Sequence, residues 1–131
     1  MKAVSRAFAR FAFVASLALA AGCSEDNRLE RVDFSYDSAP PDQATVSAST
    51  IRIRVGQAIA VQAYAIMSED PLESEDRFEL RSRNESILGL DERESPYLFV
   101  IYGVTPGDTE VQAFVNGRPG PIIVAQVLDA P

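Results

Sequence analysis

Histidine and tryptophan are missing from the 131-residue chain, cysteine occurs once, and the only lysine is Lys2. Each absence closes off a class of chemistry. Without histidine there is no imidazole to take a proton from serine, so a Ser-His-Asp arrangement is excluded. Zinc sites draw mainly on histidine and cysteine, and neither is in supply. A single cysteine makes no intrachain disulfide, so the core alone must hold the fold. No apolar run reaches the roughly 20 residues that a helix needs to span a bilayer. For catalysis only carboxylates remain, among the 19 acidic residues.

The N-terminus is the most legible part of what is there. Lys2, Arg6 and Arg10 give a basic start, residues 11–21 are apolar and uncharged, and Ala20-Ala21-Gly22-Cys23-Ser24 follows. A basic region, a short apolar region and small residues before a break are the marks of a secretory signal peptide. That break ends in the lone cysteine and resembles the lipobox of bacterial lipoproteins, with Ala20 where leucine is usual. The resemblance implies cleavage after Gly22, acylation of Cys23 and, with Ser24 rather than Asp following, sorting to the outer membrane. The alternative is an ordinary signal peptide that leaves Cys23 as a free thiol, an unwelcome feature in an oxidising compartment. A diacylglycerol plus an N-acyl chain would hold the protein firmly, where one chain binds only marginally.

Loss of residues 1–22 would leave 109 residues, enough for one domain. Lys2, Arg6 and Arg10 go with the leader, which takes the 12 basic residues to nine against 19 acidic ones, a formal charge of −10. Phosphate-rich partners would repel such a surface, so nucleic acid is not an expected partner.

After the leader, residues 23–30 read as the anchor cysteine and a polar tether, and residues 31–131 as the folded domain. Val32, Phe34 and Tyr36 alternate with polar residues, the period of a strand with one wet face. Residues 37–49 are rich in Pro, Ser and Ala and read as a loop. Ile51, Ile53 and Val55 alternate with Arg52 and Arg54, and Gly56 ends the run. Ile59, Val61, Ala63, Ala65 and Met67 share a face. Residues 68–76 form an acidic loop, Phe78 and Leu80 begin a strand, and Ile87, Leu88 and Leu90 mark a short one. Residues 97–104 are densely apolar, as expected of a central strand. Val111, Ala113 and Val115 point inward on the next strand. Asn116-Gly117 predicts a tight hairpin turn, with residues 118–121 extending it, before a last strand over 122–128. Seven to eight short strands without a helix predict an all-β sandwich.

Three segments carry a family likeness: IRIRVGQAIAVQAYA, FELRSRNESIL and IYGVTPGDTEVQA. In them a strand ends in Gly before a long apolar strand, Ser82, Asn84, Ser86 and Ile87 keep a register, and Gly103, Val104, Gly107, Val111 and Ala113 follow. The chain thus resembles bacterial Ig-like domains of group 2 type over about residues 30–128. The resemblance implies an Ig-like sandwich that binds or spaces without chemistry of its own. Leu80 stands where the family carries tryptophan, and residues 37–49 are an insertion.

These features lead to the expectation of a lipid-anchored, non-enzymatic module of the cell envelope, with no cofactor and with an envelope protein or glycan as partner. The other readings are an accessory subunit of an envelope or secretion complex and a small carboxylate-dependent hydrolase. Glu69, Asp70, Glu73, Glu75 and Asp76 suggest either a calcium loop or a solvated one. Irregular spacing and Pro71 favour the solvated loop, so no metal site is expected. Strand parity sends Tyr64, Ile66 and Phe114 off the core face, and Tyr97 and Phe99 are candidates to join them. Together the five would make a partner-binding patch; the plainer reading is scattered exposed side chains or a strand covered on both sides.

Overall fold

The computed structural model describes residues 27–93 and 97–130. Its nine strands are β1 (Leu29–Tyr36), β2 (Thr45–Val46), β3 (Thr50–Arg54), β4 (Ala58–Met67), β5 (Phe78–Ser82), β6 (Leu88–Glu92), β7 (Leu98–Gly103), β8 (Gly107–Val115) and β9 (Arg118–Leu128). Four form one sheet in the order β1-β4-β7-β6, and five form the other in the order β2-β3-β9-β8-β5. If β1, β4, β7 and β6 are read as A, B, E and D, then β5, β8 and β9 are C, F and G. That strand order is the one described for Ig-type sandwiches. The strand β3 extends the second sheet by pairing parallel to β9, from Thr50 opposite Val124 to Arg54 opposite Leu128.

Alternation in the sequence becomes the inner faces of the two sheets. Ile51 and Ile53 are buried while Arg52 is exposed. Ile59, Val61 and Ala63 of β4 are buried, as are Phe99 and Ile101 of the centrally placed β7. Val111, Ala113, Ile123, Ala125 and Val127 supply the facing layer. The rings of Tyr97 and Phe99 both approach Phe78 edge-on, at centroid distances of 5.5 and 6.3 Å. Leu80 takes an inward position at 9% exposure, opposite Ala113 on β8.

Two expectations are corrected. The segment 37–49 is not wholly loop: Ala44 and Val46 are buried, and Val46 pairs with Ile51. It carries the chain from one sheet to the other, and such a crossover must cover the open side of the core. The phenolic oxygen of Tyr36 accepts a hydrogen bond from Val46 N at 3.1 Å and ties the crossover to β1. Residues 118–121 do not extend the hairpin turn, because β9 begins at Arg118, opposite Val115. The turn is Asn116-Gly117 alone, with φ of 51° and 78°, the left-handed pair that a two-residue hairpin requires.

A bulge between Gln112 and Phe114 leaves three successive residues of β8 buried, Val111, Gln112 and Ala113. The Gln112 amide serves the carbonyls that the bulge displaces. Its Nε2 donates to Gly120 O at 2.6 Å and to Ala113 O at 3.2 Å. A second bulge, between Leu29 and Arg31, lets Leu29 and Val32 both face inward although they are three residues apart. Leu29 therefore belongs to the folded domain and not to the tether.

Candidate binding surfaces

The five residues proposed as a patch are not brought together. Phe99 is a core residue at 1% exposure, because its β7 parity matches Ile101 and not Val100. Tyr97 is half-buried against Phe78. Tyr64 and Ile66 lie on the outer face of the four-stranded sheet, and Tyr64 is 49% exposed. Phe114 lies on the outer face of the other sheet, opposite Glu79, with the Arg81 guanidinium 4.8 Å from its ring centre. Cys23 falls outside the described residues.

The outer face of the four-stranded sheet has its own apolar column, which only the register reveals. Ala60 stands opposite Val100, Gln62 opposite Leu98 and Ala58 opposite Tyr102. Tyr102 lies across Gly89 of β6, where any Cβ would overlap its ring. On the five-stranded sheet Ile122 and Val124 are exposed, flanked by Glu110 and Gln112. Sequence parity alone marked neither pair.

The acidic loop is organised by hydrogen bonds within the protein. Asn27 Oδ1 accepts from Glu69 N and Asp70 N at 3.1 and 3.2 Å, and its Nδ2 donates to Asp70 O at 3.0 Å. Asp76 accepts from Glu73 N at 2.8 Å and from Asn116 Nδ2 at 3.1 Å, which hold its carboxyl below the usual carboxylate range. Asn116 in turn accepts from Arg77 N at 2.8 Å. Among the described residues no three carboxylates gather around a common point. Glu79 is also held low, first by its hydrogen bond from Arg81 at 2.9 Å.

A cleft opens at the same end of the sandwich, with a volume near 670 Å³. Its cause is a mismatch of strand lengths. The five residues of β3 cover only residues 124–128 of the 11-residue β9, so among the described residues no strand hydrogen-bonds to the first part of β9 on that side. Pro119 and Pro121 lie in that stretch and offer no N–H, a common protection for an open edge. Leu29, Met67, Leu72 and Val115 make the apolar part of the cleft, and Arg28, Glu30, Asp76 and Arg118 bring charge to it.

No protein-family model matches the chain, and no curated protein matches it. One solved structure to which the chain is similar is the crystal structure of the S-layer protein SbsC domains 4 and 5. The match has a TM-score of 0.47 at 14% identity and covers 78% of this chain and 53% of that one. The present chain thus spans about half of that two-domain structure.

Proposed function

We propose that the chain is an exported lipoprotein, acylated at Cys23 and held at the outer membrane, whose Ig-like sandwich is a non-enzymatic binding or structural module of the cell envelope. The observation that carries this reading is the sequence of a basic start, an apolar run of 11 residues and Gly22-Cys23, followed within four residues by Asn27 at the entry to a sandwich. The surfaces support a role without chemistry. No histidine is present to activate a hydroxyl, and the one acidic-loop carboxylate with hydrogen-bond partners, Asp76, is bonded to Glu73 N and the Asn116 amide of its own domain.

Replacement of the anchor tests the reading. Cys23→Ala should abolish incorporation of labelled fatty acid and release the protein from the membrane fraction. A variant that still sediments with membranes after a high-salt wash would overturn it.

A second reading, an accessory subunit of an envelope complex, is favoured by the apolar column of Tyr64, Leu98, Val100 and Tyr102. An apolar sheet face is where a docked partner would sit. Pull-down of the anchored chain from detergent extracts should then bring one stoichiometric envelope protein, lost with Tyr64→Arg and Val100→Arg. Capture unchanged by those substitutions would reject this surface.

A further inference from the structure

We propose that the cleft beside Asn27 seats a zwitterionic phosphoethanolamine headgroup, so that the sandwich stands end-on on the bilayer that anchors it. This rests on the lipoprotein reading above and adds to it a lipid partner and an orientation.

The first support is reach. Four residue steps separate Cys23 from Asn27, at most about 14 Å of extended chain. Asn27 is fastened to the acidic loop by three hydrogen bonds, and Arg28 to Ser68 by two, one to the hydroxyl at 3.0 Å and one from Ser68 N at 2.8 Å. An acylated Cys23 would therefore bring this end of the sandwich within reach of the headgroups, and contacts in the cleft would be needed to keep it there. The far end, where β9 stops at Leu128, is the length of an 11-residue strand away, roughly 35 Å.

The second support is charge. Arg28 and Arg118 are exposed on the cleft wall, and neither side chain has an ion pair or hydrogen bond among the described residues. The neighbouring Arg31 and Arg77 are already engaged by Asp33 and Glu79. A guanidinium fork fits phosphate oxygens two at a time. Glu30 and Asp76 border the same cleft and would meet the ammonium of the headgroup, with Asp76 held in place by Glu73 N and Asn116. Leu29 and Leu72 give the glycerol and first methylenes an apolar wall. Glu69, Asp70, Glu73 and Glu75 crowd the same end, and their charge discriminates against anionic headgroups.

The full-length acylated chain, reconstituted in phosphatidylethanolamine and phosphatidylcholine vesicles, tests this directly. A fluorophore is placed at Ser74→Cys near the cleft or at Asp129→Cys at the far end, and a headgroup-labelled quencher lipid is added. The Ser74 probe should be quenched several-fold more than the Asp129 probe. Arg28→Ala with Arg118→Ala should remove most of that difference while the protein still floats with the vesicles. Replacing the phosphatidylethanolamine by phosphatidylglycerol should also reduce it. Equal quenching at the two positions, or a difference that survives both arginine substitutions or the lipid exchange, would overturn the headgroup site while leaving the anchor intact. Failure of the parental chain to float would overturn the anchoring reading and the headgroup site together.

Discussion

At the scale of single residues, Gly103 shows how much depends on an absent side chain. It ends β7 in one sheet and lies against the turn that leaves β3 in the other. Its N–H donates to Gln57 O and its carbonyl accepts from Gly56 N, both at 3.1 Å. A Cβ there would overlap the Arg54 carbonyl oxygen, which is backbone and has little room to move. Gly103→Ala should therefore force the two sheets apart locally and lower stability by about 1–3 kcal/mol, in the range of overpacked cores. Urea unfolding should show the loss as a lower midpoint with little change in slope. The need for glycine at 103 was legible in the IYGV motif, but its neighbour was not, because Arg54 is far away in sequence.

Asp76 and Glu79 make the pH dependence of this end of the molecule. Both carboxyls titrate below their ordinary range in the folded chain, Asp76 chiefly through Glu73 N and Glu79 chiefly through Arg81. A group whose folded value is depressed contributes stability above its unfolded value, about 4, and loses it as the pH falls through the folded one. Stability should thus be flat near neutrality and decline only below about pH 4. Carboxyl carbon shifts followed by NMR should give midpoints for these two residues below the ordinary carboxylate range. Asn116→Ala should move the Asp76 midpoint back up, and no movement would reject the Asn116 contribution.

At the scale of elements, register is the decisive quantity, and β5 is where it is best tested. Leu80 faces inward opposite Ala113, while Glu79 faces out opposite Phe114 between Arg77 and Arg81. A slip of one residue would exchange these faces. Leu80→Ala should leave a cavity and cost about 2–5 kcal/mol. Glu79→Ala removes only surface ion pairs and should leave the urea midpoint nearly unchanged. Equal losses, or a larger one at Glu79, would reject the strand assignment. Long alternating segments such as β3 and β4 were legible because alternation is a local property. The start of β9 was not, because Pro119-Gly120-Pro121 reads as a turn until the bulge in β8 and the Gln112 amide are present to receive it. The two-residue β2 was hidden for the same reason: Ala44 and Val46 are buried only because the crossover lies over the core.

At the scale of the whole molecule, nineteen buried apolar residues from both sheets form one cluster. Among the described residues neither sheet has a second core to fall back on, so the sandwich should unfold as a unit. Far-ultraviolet circular dichroism and tyrosine fluorescence should report coincident urea transitions. Separate midpoints would show that one sheet melts first and would contradict a shared core.

Taken by itself, the sequence determined the all-β class, the inward faces of the long strands, the Asn116-Gly117 turn and the exclusion of histidine chemistry. These follow from composition and from periods of two residues, which need no knowledge of what lies across the fold. The tertiary structure alone decided which aromatics meet. Tyr64 and Phe114 have the same outward parity, yet they stand on opposite faces of the sandwich because β4 and β8 belong to different sheets. Phe99 points into the core because β7 keeps the phase of Ile101. The cleft beside Asn27 exists because β3 is shorter than β9, a mismatch between strands that meet only after the chain has crossed from one sheet to the other.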